Sequence, residues 1–398
     1  MSKGGLRDGS GRNPLPTSAK KKDYKIYIDE STASEINELG NGNSFSARVN
    51  DLIQSELKRR KEVTPMKFID LFAGIGGFHI ALEKAGNQCV FASEIDKFCQ
   101  QVYYDNFGMM PDGDITKIDA KDIPDFDILA AGFPCQPFSY AGRLKGFEDK
   151  TRGTLFFDIL RIIKEKRPKM FLLENVKGLK SHKKGETLKT IEDCLKDAGY
   201  YIHWAILNSH DFGVPQKRER WYCVGLDKDI YFEFPKPTNS TTVLRDIVDL
   251  NLNDPKLELS QFEMDRIEHH FESDEIRVKH DNSKYDPNTK KGKYGIYSFL
   301  KPDGTLRFHI GDVSKTQIQE AYYCSLDSVA PAIIAAREPK LWDIHRRLSV
   351  DECRKLQGFP DDFKLNESDV QAKKQLGNSI AVPVVEEIVK KMMMYYNS

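Results

Sequence analysis

Between Met66 and Leu226 short apolar runs alternate with amphipathic stretches, and that rhythm leaves few folds open. Lys67–Phe72, Cys89–Glu94, Ile128–Ala131, Met170–Leu173, His203–Leu207 and Trp221–Leu226 read as strands. Gly77–Lys84, Leu155–Lys166 and Thr187–Ala198 read as helices between them. Strand and helix alternating in this way predict an α/β fold built on a doubly wound, mostly parallel sheet. Such sheets place their chemistry at the carboxyl ends of the strands.

Three acids and glycines mark one site. Asp70-Leu71-Phe72-Ala73-Gly74-Ile75-Gly76-Gly77 follows the first strand, and glycines at a strand-to-helix turn let backbone approach a ligand closely. Gly74-x-Gly76 is half of a dinucleotide fingerprint, but His79 stands where its third glycine belongs. Glu94 ends the second strand, about twenty residues on, where an acid commonly binds ribose hydroxyls. Asp114-Ile115 follows at the next loop. Together these suggest an adenosyl cofactor, although each acid alone reads equally as a solvated loop carboxylate.

A second site centres on Gly132-Phe133-Pro134-Cys135-Gln136-Pro137-Phe138-Ser139. Two prolines bracket one thiol, fix φ locally and keep the segment out of a helix. Cys135 is then either a nucleophile at a strand end or a buried core thiol. Glu174 follows the apolar strand Phe171–Leu173, and a thiol and a carboxyl at neighbouring strand ends suit nucleophilic attack with acid assistance. A helix-capping role is the plainer reading of Glu174. In Gln216-Lys217-Arg218-Glu219-Arg220, alternation puts Arg218 and Arg220 on one face, where two guanidiniums can hold a phosphate or orient a carboxylate.

Lys plus Arg and Asp plus Glu both number 60, so any nucleic-acid footprint must be local. Seven cysteines are scattered without a Cys-x-x-Cys pair, which argues against a disulfide framework or zinc knuckle. No metal site is expected, and His269, His270 and His280 read as surface histidines. With no apolar span and no secretory signal, the expectation is a cytoplasmic protein without a membrane partner.

Outside the strand-helix core, residues 1–23 read as a disordered basic tail. Residues 24–65 form a small unit, with an alternating strand at Tyr24–Asp29 and helices at Ser31–Leu39 and from Asn43 or Ser44 onward. Val49, Leu52, Ile53 and Leu57 share a face of the second helix. This unit resembles a ribbon–helix–helix module, which implies a homodimer or DNA binding that would serve autoregulation; a cap on the main domain is the alternative.

The chain as a whole resembles the bacterial DNA (cytosine-5)-methyltransferases. The likeness rests on the Phe72 glycine turn, Pro134-Cys135-Gln136, Arg152-Gly153-Thr154-Leu155-Phe156, Glu174-Asn175-Val176 and Gln216-x-Arg218-x-Arg220. It continues through Arg347-Leu348-Ser349, Leu356-Gln357-Gly358-Phe359-Pro360 and Gly377-Asn378-Ser379-Ile380-Ala381-Val382-Pro383. The resemblance implies a Rossmann-like, S-adenosylmethionine-dependent catalytic domain over 66–226, a smaller irregular target-recognition domain over 227–345, and a segment 346–398 whose terminal helix completes the catalytic domain.

It also implies roles. Cys135 would attack C6 of a cytosine flipped out of double-stranded DNA. Glu174 would bind N3 and the exocyclic amine, and Arg220, with Arg218 in support, would grip the base or its phosphate and help place Glu174. Phe72, Gly74, Gly76, Glu94, Asp114, Ile115, Leu155, Asn378 and Ser379 would hold the cofactor. Ser139–Arg152, with Gly142 and Gly146, would close over the base. Lys284, Lys290, Lys291 and Lys293 would contact phosphates, and Thr305-Leu306 resembles a dipeptide of the recognition domain. A restriction endonuclease would be the functional partner. A tRNA cytosine methyltransferase shares these motifs and is the alternative substrate class.

Overall fold

The computed structural model describes residues 28–62, 65–134, 155–238, 240–280, 295–311, 319–335 and 337–397. The chain divides into two compact units, residues 1–64 and 65–398. In the first, α1 (Glu30–Leu39) and α2 (Phe45–Glu62) form a helical hairpin. Asp29 caps α1 by accepting from Thr32 N at 2.8 Å. The predicted strand lies outside the described residues, apart from Ile28 and Asp29, which are not in a strand.

The second unit is built on a six-stranded sheet of order β2-β1-β3-β4-β7-β5. Its strands are β1 (Lys67–Leu71), β2 (Gln88–Ser93), β3 (Ile128–Gly132), β4 (Met170–Val176), β5 (Tyr201–Asn208) and β7 (Glu219–Leu226). The first four pair in parallel, and β7 runs antiparallel between β4 and β5. Around it lie α3 (Gly77–Lys84), α4 (Lys97–Phe107), α5 (Phe156–Lys166), α6 (Glu186–Asp197) and, from the end of the chain, α10 (Val382–Tyr396).

Both faces of this sheet are covered, which is why its strands read as continuous apolar runs. Ile69, Leu71, Leu129, Ala131, Phe171 and Leu173 join the core beneath α5 and α6. The alternate residues Phe68, Ile128, Ala130, Met170 and Leu172 join the core beneath α3 and α10. Each fully buried Leu, Ile or Phe contributes about 1.5–3 kcal/mol. Charging one of the shared strand positions would damage a whole face.

Residues 227–345 lose the strand-helix rhythm, as expected, but are more regular than their polar sequence suggests. After α7 (Gln261–Glu272) come β8 (Val278–His280), β9 (Gly295–Leu300), β10 (Thr305–Gly311), β11 (Gln319–Cys324), β13 (Lys340–Leu341) and β14 (Arg346–Arg347). They form a second six-stranded sheet of order β14-β13-β11-β10-β9-β8. One face packs Leu306, Phe308 and Tyr323 on Leu259 and Ile267, while from the other face Cys324 and Leu341 alone among its described strand residues join the core with Leu348 and Leu356. Half-covered strands alternate with charge, so they resemble loop in the sequence. A two-residue ribbon, β6 (Gln216–Lys217) with β12 (Ala330–Pro331), stitches this region to the first sheet. Helices α8 (Val350–Gln357) and α9 (Asp369–Asn378) then lead back to α10.

His270 and His280 are a correction. Both are buried, and both share the hydroxyl of fully buried Ser298, at 2.8 Å from His270 Nδ1 and 2.6 Å from His280 Nε2. They serve the inside of the second sheet, where a hydroxyl can donate to one ring and accept from the other.

Candidate active site

Strand order reverses between β1 and β3, so the crevice for a ligand opens beyond their carboxyl ends. The loop from Phe72 to Gly77 leaves β1 on one side of this point. Phe133 and Pro134 leave β3 on the other, leading directly to Cys135. Cys135 itself, Gly142, Gly146, Arg152 and the lysines at 284, 290, 291 and 293 lie outside the described residues.

The β1 loop is shaped by left-handed backbone. Phe72 has φ +56° although it carries a bulky side chain, a conformation that costs roughly 1–2 kcal/mol. Gly76, with φ +91°, forms the N-cap of α3, where a Cβ would also strike the Phe107 ring at 2.2 Å. Gly74 is different, because a Cβ there would meet nothing within 4 Å. The space over Gly74 is open.

Glu94, just past β2, ties this loop in place. One of its oxygens accepts from Gly74 N and the other from Asp96 N, both at 2.8 Å. A carboxylate oxygen takes two hydrogen bonds, so Glu94 keeps acceptor capacity for two hydroxyls. Its neighbour Ile95 is 70% exposed, an apolar side chain beside a polar acid that the sequence reading passed over. Asp112 accepts from Glu94 N at 2.8 Å, which brings the Asp114 loop alongside. Asp114 caps its own turn through Thr116, and that hydroxyl holds its carboxyl below the usual range. The carbonyl of buried Ile115 accepts from Arg161 of α5 at 2.6 Å. Leu155 is half-buried at the position preceding α5.

The far wall comes from the end of the chain. Ser379 Oγ lies 3.2 Å from where a Cβ on Gly77 would sit, with Ile380 closer still at 2.5 Å. Asn378 is exposed at the end of α9. An open space over Gly74, an acid with spare acceptors and an aromatic held at the strand end fit an adenosyl group.

On the other side of the crevice, Glu174 pairs in register with Gly132, three residues before Cys135. Glu174 is 9% exposed, and Arg220 Nε lies 3.1 Å from its Oε1. Burial pushes its carboxyl up; the Arg220 and Arg218 charges oppose that shift without cancelling it. Asn175, buried beside it, donates from Nδ2 to Phe133 O at 2.9 Å. The approach to Cys135 is thus held by the strand that presents Glu174.

Arg218 is buried, and burial lowers its guanidinium to about 9. It donates to Ile333 O at 2.7 Å, to Gly377 O at 3.0 Å and to Ser379 O. The sequence reading set it in support of Arg220; in the structure its two terminal nitrogens reach main-chain carbonyls, while its buried Nε has no hydrogen-bond partner among the described residues. Gln216 and Gln357 complete this node. Gln216 Nε2 donates to Leu356 O and Gln357 Oε1, both at 2.9 Å, and its Oε1 accepts from Ile333 N at 2.9 Å. Gln357 Nε2 donates to Leu376 O at 2.6 Å.

A profile of the family described as C-5 cytosine-specific DNA methylase matches residues 66–394. The chain belongs to that family. The methylase is 40% identical over 338 residues to the Type II methyltransferase M.HhaI of Haemophilus parahaemolyticus, an alignment covering 82% of this chain and 94% of that one. It is likewise 40% identical over 338 residues to the Type II methyltransferase M.DsaV of Dactylococcopsis salina, covering 84% and 88%. The crystal structure of S. pombe Dnmt2 methyltransferase matches with a TM-score of 0.59 at 19% identity, over 84% of this chain and 100% of that one; this likeness concerns the fold. The methylase is a DNA (cytosine-5)-methyltransferase of the restriction-modification type. Among the described residues no helix is long and apolar enough to cross a membrane, and no cluster of three His, Cys, Asp or Glu side chains could hold a metal.

Proposed function

We propose that the methylase modifies C5 of a cytosine flipped from double-stranded DNA through a covalent bond between Cys135 and C6. The observation that carries this reading is the buried Glu174–Arg220 pair set beside Gly132, three residues before Cys135. C5 of cytosine is too weak a nucleophile to take a methyl group unaided. Addition of the Cys135 thiolate to C6 turns C5 into an enamine carbon. Glu174, whose burial favours the protonated form, donates to N3 and accepts from the exocyclic amine as charge builds on the ring. Arg220 holds Glu174 and faces the same charge. After methylation, loss of the C5 proton expels Cys135 and restores aromaticity.

S-adenosylmethionine supplies an electrophilic methyl group when bound. Phe72, Gly74, Gly76, Glu94, Asp114, Ile115, Leu155, Asn378 and Ser379 are the residues that would hold it. Five of the other cysteines are poor candidates for the nucleophile. Burial pushes Cys89, Cys99, Cys324 and Cys353 up to about 12, and raises Cys223 as well. In this reading the enzyme works in a prokaryotic cytoplasm, protecting DNA against a partner endonuclease.

A duplex carrying 5-fluorocytosine at the target tests the mechanism, because fluorine cannot leave C5 as a proton does. With the cofactor present, the wild-type chain is expected to form a complex that survives denaturation, and Cys135→Ser to form none. A surviving complex in the serine variant would sink the proposal.

A further inference from the structure

On the second sheet, the face turned away from α7 carries a row of aromatic rings and guanidiniums. Arg307 on β10 stands in register with Phe299 on β9 and with Tyr322 on β11, so the three side chains share that face. The Arg307 guanidinium carbon lies 4.7 Å from the centre of the Tyr322 ring. Arg337 reaches the same ring from a separate segment, at 4.3 Å. Arg277 extends the row, 5.7 Å from the Phe299 ring and 5.8 Å from that of Tyr297. Phe299, Arg307, Tyr322 and Arg337 are all half-buried, so the row keeps an open side.

Arg337 also belongs to the crevice. It closes a tight hairpin with Ile334, whose N–H donates to Arg337 O at 3.1 Å and whose carbonyl accepts from Arg337 N at 2.9 Å. Ile333, just before that hairpin, accepts from Arg218 and donates from its N–H to Gln216. The Ile334 backbone occupies the place a Cβ on Gly377 would take, one residue before Asn378. The hairpin is thus pinned beside the far wall of the crevice. The Arg337 guanidinium is engaged by the Tyr322 ring and by no carboxylate among the described residues.

A guanidinium placed over an aromatic ring has its plane steadied and its N–H fork left free. A phosphate needs no such fixing, since a mobile Lys serves it as a point charge. A planar pair of acceptors does, and in the major groove guanine offers one in O6 and N7. We propose that Arg337, steadied by Tyr322, reads a guanine of the recognition sequence close to the flipped cytosine. This rests on the DNA reading above and adds to it a base that the duplex must carry. Arg337 touches that base, and Tyr322 is a positioning residue.

Bisulfite sequencing of a genomic DNA pool methylated by the purified full chain gives the bases around every modified cytosine. The wild type is expected to require a guanine at one position besides the partner of the target. Arg337→Ala should accept other bases there, its preference falling by roughly five- to a hundredfold, while the remaining positions stay selective. Arg337→Lys should not restore the preference, because an ammonium has no fork. Tyr322→Leu should weaken the same position and Tyr322→Phe should keep it, because the ring is what matters. Since Arg337→Ala could lose all activity, a second measurement uses the wild type alone. In it 7-deazaguanine, which lacks the N7 acceptor, replaces each guanine of the site in turn. One replacement should lower kcat/KM by roughly fivefold or more, at the position that Arg337→Ala relaxes. A wild type that modifies no cytosine overturns the proposed function and this inference with it. Methylation that requires no such guanine, or that tolerates every 7-deazaguanine, overturns this inference alone. So does an Arg337→Ala that slows all sites alike and keeps the sequence preference, which is what a phosphate contact would give.

Discussion

Arg220 holds its Nε 3.1 Å from Glu174 Oε1, with each side chain almost withdrawn from solvent. Removing Arg220 strips the buried Glu174 carboxyl of its ion-pair partner, which costs up to about 3–5 kcal/mol while that carboxyl is charged. Arg220→Ala should lose stability on that scale. Arg220 is also the leading opponent of the upward shift at Glu174, so the variant should raise Glu174 further. A carboxyl raised on folding stabilises below its unfolded value, and that contribution is lost as pH rises through the folded value. Urea unfolding across the acid-to-neutral range should therefore show stability falling more steeply with rising pH in Arg220→Ala than in wild type. Adding Glu174→Gln should remove the difference.

Asn175→Ala should separate positioning from binding. The substitution leaves the buried carbonyl of Phe133 without its donor, at about 1–3 kcal/mol. Since that carbonyl lies two residues before Cys135, kcat should fall more than the KM for DNA rises. Steady-state kinetics on a duplex substrate check this; a pure KM effect would contradict it.

Glu94 joins two backbone donors, from Gly74 and Asp96, across the loop assigned to the cofactor. Glu94→Ala should raise the KM for S-adenosylmethionine by roughly ten- to a hundredfold, equivalent to about 1.4–3 kcal/mol, with a much smaller change in the KM for DNA. Initial rates with each substrate varied in turn make the comparison.

The second sheet should be acid-sensitive. Burial lowers His280 from 6.5 to about 4, with Arg266, His269 and His270 adding positive charge nearby. A histidine depressed on folding stabilises above its unfolded value, and that contribution drains away as pH falls through the folded value. Stability should drop between pH 6.5 and about 4, by on the order of 2–3 kcal/mol. Thermal melting of wild type against His280→Gln across that window should show a shallower slope in the variant.

The parallel sheet was legible because both of its faces are buried, so strands such as Met170–Leu173 are unbroken apolar runs. Glu94 and Glu174 were legible for a related reason: a carboxylate directly after such a run stands out. Arg218 shows the limit. Alternation placed it beside Arg220, but its partners Ile333 and Gly377 lie 115 and 159 residues further along the chain. No local pattern announces a contact of that span. His270 and His280 failed in the same way, since what gathers them is Ser298, on a strand whose alternation is short and interrupted by charge.

Helix α10 packs on α3, with Lys84 and Glu386 2.8 Å apart and Ile380 filling the place a side chain at Gly77 would take. The ribosome makes these two walls in the opposite order to their need. The glycine turn emerges early, and its backing arrives only after the whole second sheet has been made. A nascent chain stalled before Ile380 would carry every strand of the first sheet and still leave its buried face against water. The β1 turn is thus braced only once translation has passed Ile380, and chains truncated before it should be insoluble rather than partly active.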